Sequence, residues 1–325
     1  MKFQKSADSL LVDRRWEGNT GIGRYSRELL PKISSFTAGY LSYGNPVSIK
    51  QMGVSIIRAQ HFAKFYSPGY VPILGLKRQL VTIHDLILLE PEIGSNSKQI
   101  FFNRIVLPRI KDGTVRVVTV SKSSQEQIAD WASIEKENIS IVPNGLSAEI
   151  IEFAGKACIN RVERTLVFVG NMKKHKNFWL FAEAVNLLPG SWTIRLVGPG
   201  LNVGLIDARH QVQSYWNISD SELAHIYANS SIMVNTSSFE GFGMSFLEGG
   251  YLGCKIVHLG VLPTVVDILG KDTFHTRGSF SAKDLADLIL EVNSMPESHN
   301  VREFLARDYS WEKSGKILSE ILGTV

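Results

Sequence analysis

Short apolar runs alternate along the chain with stretches whose apolar residues recur every three or four positions, and the alternation occurs twice. In the first half "SLLVD" (9–13) runs into "GNTGIGRYSRELLPKI", a glycine loop followed by a helical pattern. Then come "QLVTIHDLILL" (79–89), "VRVVTVS" (115–121) and "NISIVPNG" (138–145), each rich in β-branched residues and closed by a polar or turn residue. That is the pattern of strands buried on both faces of a parallel sheet. Helical patterns fall between them at 97–112 and 121–132, the latter with Ser121 or Ser123 as its cap.

The second half restarts with "RTLVFVGN" (164–171), the amphipathic helix "KNFWLFAEAVNLL" (176–188) and "WTIRLVGPG" (192–200). A helix at 219–230 follows, with Ser219 and Glu222 spaced as a capping box, then "SIMVNTS" (231–237) and "CKIVHLG" (254–260). Strands alternating with helices predict two doubly wound α/β domains, with a seam of weak periodicity near 146–163. "SSFTAGYLSYGN", after residue 34, resists assignment.

The chain has 325 residues, of which 44% are hydrophobic and 20% charged, the profile of a packed globular protein. Cys158 and Cys254 stand in no metal-like spacing, so reduced thiols are expected, with a single bridge as the alternative. The opening residues hold no signal-peptide core, and no run is long enough to span a membrane, which points to the cytoplasm. Asn-x-Ser sequons at Asn138, Asn217, Asn229 and Asn235 then carry no information. The net charge of +4 suits anionic small molecules or an anionic membrane, and no basic–aromatic interleaving points to nucleic acid.

Ligands of doubly wound folds sit beyond the carboxyl ends of the strands. The residues there are Gly18–Gly23, His84–Asp85, Ser121, Asn144–Gly145, Gly170–Lys176, Gly198–Gly200 and Glu240–Ser245. Among them "SSFEGFGMSFLEGG" (237–250) places Glu240 and Glu248 on either side of a glycine loop. A helix starting near Gly243–Ser245 directs free amides and the positive end of its dipole out of that loop, which makes an anion site. Glu248 then falls in the first helical turn and Glu240 before the loop. Carboxylates repel phosphate, so each is better placed to accept bonds from neutral hydroxyls, as a nucleotide sugar would offer. The plainer reading is a tight turn with solvated acids.

Taken in order, these segments resemble the retaining GT-B glycosyltransferases of the large family four, which includes bacterial mannosyltransferases of O-antigen and other polysaccharide assembly. "GIGRYSRELL", "FYSPGYVPIL", "VTIHDL", "VVTVSKSSQEQI" and "ISIVPNGL" look like its N-terminal segments. "VFVGNMKKHKN", "LVGPG" and 217–257 look like its C-terminal ones, and "DYSWEKSGKIL" like the terminal helix that crosses back. The resemblance implies two Rossmann-like domains facing across a cleft. Residues 1–158 would form the acceptor side, with helix 309–325 packed on it, and 159–308 the nucleotide-sugar domain. It implies that Glu248 holds the ribose hydroxyls and that Glu240 lies near the donor sugar. Gly170, Asn171, Gly243, Met244 and Ser245 would contact the donor, and Lys176 would neutralise its diphosphate. Gly21 and Gly23 would approach the phosphates, His84 the sugar, and Trp216–Ile218 the base.

Several positions depart from the family. Asn171 stands where an arginine is frequent, with Lys173 or Lys174 as the replacement. Thr236 stands where proline is frequent, and "MSFLEGG" replaces "LPPLEAM", with Gly249 and Gly250 inside a helix at a cost in propensity. The resemblance further implies retention at the anomeric carbon, with no dedicated base and no metal, in keeping with the lack of an Asp-x-Asp pair. GDP-mannose is the first-choice donor and a UDP-hexose the second. The acceptor would be a glycan or lipid-linked oligosaccharide on the cytosolic face of the inner membrane. An epimerase or phosphorylase of the same fold, and a non-catalytic nucleotide-sugar-binding subunit, are the competing readings.

Plainer roles stand beside these. His84 is a structural histidine in isolation, and Asp85 a cap. Arg14 and Arg15 are surface charges or anion ligands. The helix at 97–112 packs on the core, or its basic face rests with Lys64, Lys77 and Arg78 on an anionic membrane.

Overall fold

A computed structural model describes residues 9–18, 20–33, 36–90, 94–156, 161–260, 262–270, 274–278, 281–296 and 302–325. The chain divides into two compact units, Met1–Gly145 with Ser310–Val325, and Leu146–Tyr309.

The first unit is built on a parallel sheet of β1 (Ser9–Asp13), β2 (Thr37–Leu41), β3 (Lys64–Ser67), β4 (Gln79–Thr82), β5 (Val115–Thr119) and β6 (Ile139–Ile141). Their order is β2-β1-β3-β4-β5-β6. Every residue of β1, β3 and β4 is buried, as strands covered on both faces require. The terminal helix Trp311–Thr324 packs within this unit. Ser314 Oγ donates to the Pro143 carbonyl at 2.7 Å, and the Trp311 and Tyr25 rings meet edge to face at 5.8 Å.

The second unit repeats the plan with β7 (Val162–Val169), β8 (Thr193–Val197), β9 (Gln211–Tyr215), β10 (Ser230–Asn235), β11 (Lys255–Leu259) and β12 (Phe274–Arg277). The order is β12-β11-β10-β7-β8-β9, again all parallel. One apolar core runs from Phe168, Phe178 and Phe181 through Trp192 to Leu285 and Ile289. The chain leaves β7 in one direction through β8 and β9, then returns to the other side of β7 with β10. The strand order therefore reverses between β7 and β10, the place where doubly wound folds bind ligands.

The structure amends several expectations. "QLVTIHDLILL" is a strand only over Gln79–Thr82; Asp85 Oδ1 then accepts from the Ile87 amide at 3.0 Å and turns the chain. The pattern at 97–112 is a helix interrupted by a π-helical stretch, Phe102–Val106. Pro108 has no N–H to give the Arg104 carbonyl, and the Leu107 amide reaches back to Phe102 instead. "SSFTAGYLSYGN" contains the edge strand β2. The seam carries helix Ala148–Lys156, counted with the second unit, whereas Cys158 lies outside the described residues. Cys254 is a buried free thiol, and burial pushes its pKa up to about 12.

Candidate functional site

The residues that cap β7, β8 and β9 are tied edge to edge. The Gly170 amide donates to the Val197 carbonyl at 3.0 Å, and the Gly198 amide to Tyr215 at 2.9 Å. Gly198 sits at φ 140°, and a Cβ there would lie 1.7 Å from the Gly170 carbonyl oxygen. Both backbone and space demand glycine. Gly198→Ala is expected to cost at least ~2 kcal/mol and lower the melting temperature by several degrees, read by calorimetry. A melting temperature within a degree of wild type would refute this account of the turn.

Past Gly170, Asn171 Oδ1 accepts from the Lys173 amide at 3.0 Å, so this side chain shapes the turn. Lys173 and Lys174 are exposed and His175 is buried. The 3₁₀ turn Lys174–Lys176 ends on Asn177, held at φ 48° as the N-cap residue of helix Phe178–Leu187. This turn is sewn onto the segment leaving β10. Thr236, fully buried, directs its hydroxyl at the carbonyls of Lys176 (2.7 Å) and Asn177 (3.0 Å). Asn177 Nδ2 donates to the Thr236 carbonyl at 3.1 Å, and the Ser238 amide to that of His175 at 2.8 Å. A proline at 236 could not make the hydroxyl bonds. The consequence is an ion pair across the switch point: Lys176 Nζ lies 2.5 Å from Glu240 Oε1, the side chains 18% and 12% exposed.

Helix Met244–Tyr251 begins at Gly243, which has φ 86° and no side-chain cap. A Cβ on Gly243 would meet the Phe246 ring at 2.6 Å. The first amides of a helix have no intrahelical partner and carry the positive end of its dipole, and this helix starts at the end of the loop that begins with Glu240. Asn235, at the end of β10, supports both sides: its Oδ1 accepts from the Ser237 amide at 2.8 Å and its Nδ2 reaches Ser245 Oγ at 3.5 Å. Glu248 is in the second turn rather than the first, and it is 2% exposed. The reading of these acids as solvated is therefore overturned, since a buried carboxylate needs polar partners.

Phe246, Gly249 and Gly250 are buried, the Phe246 ring beneath Gly243 and the two glycines against neighbouring elements. A Cβ on Gly249 would touch Met233 and Ile256 at 3.4 Å, and one on Gly250 would come within 2.9 Å of Leu269 Cδ2. The glycines thus offset their helix-propensity cost by letting this helix approach its neighbours closely. His258, fully buried at the end of β11, was missed by sequence reasoning. Its Nε2 faces the Ser237 carbonyl at 2.9 Å and its Nδ1 that of Gly260 at 3.1 Å. Burial lowers its pKa, while both carbonyl contacts and the Glu240 carboxylate oppose the shift.

Trp216 follows β9 and is 73% exposed, and Asn217 is left-handed at φ 55°. Ile218, half-buried, precedes the capping box, which forms as expected: Ser219 Oγ accepts from the Glu222 amide, and Glu222 returns the bond to Ser219. Three strand spacings separate the ends of β9 and β10, about 14 Å.

In the first unit, Gly21 opens helix Gly21–Leu29, and Thr20 caps it by accepting from the Gly23 amide at 3.0 Å. A Cβ on Gly23 would fall 2.3 Å from the Gly18 carbonyl oxygen. Arg15 is no anion ligand: it lies buried against Asp13, with Nε and Nη2 both 2.7 Å from the carboxylate. Arg14 stays near the surface beside Glu17.

His84 Nε2 donates to the Pro68 carbonyl at 2.9 Å, and its ring packs edge to face on Tyr25 at 4.7 Å. Desolvation lowers its pKa to about 4, so the ring is neutral at pH 7. Because the unfolded chain binds that proton more readily, the contribution is complete above about pH 6.5 and is lost as pH falls toward 4. Up to about 3 kcal/mol is at stake. His84→Gln should flatten the change in urea midpoint between pH 7.5 and 4.5; an unchanged pH profile would contradict this.

Residues 151–304 match the family model described as glycosyl transferases group 1. The O-antigen chain mannosyltransferase B of Escherichia coli is 23% identical over 228 residues, covering 63% of this chain. The match spans 60% of that relative's length. Among solved structures, HepE of Anabaena in complex with UDP and glucose superposes with a TM-score of 0.71 at 14% identity, over 98% of this chain and all of HepE. Sucrose-phosphate synthase of Thermosynechococcus elongatus gives 0.69 at 16% identity, over 98% of each chain. The fold is thus GT-B, two parallel-sheet Rossmann-like units, and the match of residues 151–304 to the glycosyl transferases group 1 model supports a transferase.

Proposed function

We propose that this chain is a retaining glycosyltransferase that moves a hexose from a nucleotide-diphosphate sugar to a glycan or lipid-linked acceptor in bacterial surface-polysaccharide assembly. The observation that carries this reading is the Lys176–Glu240 pair, set at the switch point beside the bare helix start at Gly243. Base, ribose and diphosphate laid end to end suit the row of strand ends from Trp216 to Glu240. Trp216 and Ile218 take the base, and Glu248 the ribose. Gly170, Asn171, Met244 and Ser245 line the path to the diphosphate, and Glu240 accepts from the sugar hydroxyls. Gly21, Gly23 and His84 are assigned to the donor by the family resemblance.

Negative charge grows on the leaving diphosphate. Lys176 and the amides at 243–245 supply positive potential already in place before the bond breaks, and stabilisation of this kind commonly contributes more to catalysis than any other effect. Metal-free chemistry follows from that assignment, with a donor phosphate oxygen taking the acceptor proton. GDP-mannose is the first donor to try, supported by the O-antigen mannosyltransferase likeness, and UDP-glucose the second, the ligand of a HepE complex. The cytosolic face of the inner membrane is the proposed place of work; no helix among the described residues is long and apolar enough to cross a membrane.

A thermal-shift screen against GDP, UDP, ADP and dTDP sugars tests the donor, because a ligand of the native state raises its apparent stability. Turnover of the binding donor with and without acceptor separates transfer from epimerisation and from binding alone. No shift with any nucleotide sugar would sink the reading.

A further inference from the structure

The helix at 97–112 packs its apolar side on the core, the simpler of its two readings, and keeps Lys98, Ile100, Arg104 and Lys111 exposed. In the 97–112 segment Phe102, Val106 and Ile110 are buried in the core. Lys64, read as part of the same basic surface, is also buried: its ammonium donates to the Leu322 carbonyl at 2.7 Å and so caps the terminal helix.

Helix Ile49–Ala59 also keeps basic and apolar side chains exposed. Its inner face is settled by contacts: Ser55 is buried against Arg15, and Ala59 joins the Leu11–Leu41–Phe65 cluster with Ile56 packed on it. The opposite face carries Lys50, Val54, Ile57 and Arg58, with His61 just beyond, all exposed. Val54 is 50% and Ile57 66% exposed. Beside it, Tyr43 is 88% and Tyr40 42% exposed. A Cβ on Gly44 would strike the Gln51 side chain at 2.3 Å, so the Tyr43–Gly44 turn lies directly on this helix.

The charge along this part of the chain is one-sided; the acid near Tyr40, Glu17, is paired with Arg14. From Leu29 to His84 the chain contains no aspartate or glutamate, but it has Lys32, Lys50, Arg58, Lys64, Lys77 and Arg78. Of these, Lys64 is buried and Lys32 pairs with Glu312, while Lys50, Arg58, Lys77 and Arg78 are exposed. Apolar side chains flanked by lysine and arginine, with aromatic rings at the border, match an interfacial helix. A protein partner would need acids to meet that surface, whereas an anionic bilayer offers both the charge and the apolar layer.

We infer that helix Ile49–Ala59, with Tyr40 and Tyr43, docks the first unit onto an anionic membrane surface. Val54 and Ile57 enter the interface, and Lys50 and Arg58 pair with lipid phosphates. The inference does not rest on the transferase reading.

Co-sedimentation of the full chain with vesicles tests it. Wild type should sediment with vesicles of phosphatidylcholine and phosphatidylglycerol, not with phosphatidylcholine alone, and release at high salt. Two double variants, Val54→Ser with Ile57→Ser and Lys50→Gln with Arg58→Gln, should each weaken binding about tenfold or more. Because all four positions are exposed, both variants should melt as wild type does. Failure to bind anionic vesicles, equal binding to neutral ones, or wild-type binding by both variants would overturn the inference. So would a dimer in sedimentation equilibrium that the Val54/Ile57 variant abolishes, since that assigns the face to a second copy of the chain.

Discussion

Lys176→Ala is expected to lower the rate of sugar transfer by two to three orders of magnitude, the usual loss when one preorganised stabiliser of developing charge is removed. Lys176 is not interchangeable with its neighbours. Lys173 and Lys174 are exposed, whereas Lys176 is held by a turn whose carbonyls are fastened to Thr236 and Ser238. Its ammonium therefore stands at the junction of β7 and β10 before any ligand arrives. The substitution leaves the Glu240 carboxylate, 12% exposed, without its cation, so a lower melting temperature is also expected. Single-turnover rates at saturating donor separate the two effects. A rate within threefold of wild type, in folded protein, would remove Lys176 from the mechanism.

Glu240→Gln should move two readouts in opposite directions. Transfer should fall at least about a hundredfold, because the carboxylate proposed to accept from the sugar hydroxyls is lost where charge-assisted bonds count most. Binding of the bare nucleoside diphosphate should hold or tighten. Glu240 Oε1 lies 2.5 Å from Lys176 Nζ, so a diphosphate that takes this lysine has to displace it. Glutamine cannot neutralise the ammonium, and the competition ends. Calorimetric titration with nucleoside diphosphate, beside turnover with the nucleotide sugar, measures both. Weaker diphosphate binding in Glu240→Gln would show that the pair is not a resting contact exchanged for ligand.

The parts of this site visible in the sequence were those made by local chemistry. Gly243 was legible because a helix that starts after a left-handed turn needs glycine there. The capping box at Ser219 and Glu222 is read from a three-residue spacing and forms as read. "SLLVD" matches β1 because a strand covered on both faces needs an apolar run, here Leu10, Leu11 and Val12. Two strands escaped, the edge strand β9 and the central strand β3, each for want of an apolar run. "QVQSY" is β9, but half-solvated positions leave it no apolar run. "KFYS" is β3, whose buried lysine reads as surface until Leu322 supplies a carbonyl.

What escaped in the site itself was made by distance. Thr236 reads as a missing proline, yet it bonds carbonyls 60 and 59 residues away. His258 reads as one more strand residue, yet it grips the Ser237 carbonyl 21 residues back.

By itself, then, the sequence determined two rounds of α/β alternation, the glycine turns, and two acids and a lysine of suitable chemistry, because helix period, strand burial and backbone freedom act over a few residues. Only the tertiary structure decided that Lys176 pairs with Glu240, that Glu248 is buried, and that helix Ile49–Ala59 leaves Val54 and Ile57 exposed beside Lys50 and Arg58. The order of strands in a sheet sets those outcomes: β10 lies against β7 although β8 and β9 come between them along the chain, and no local pattern carries that adjacency.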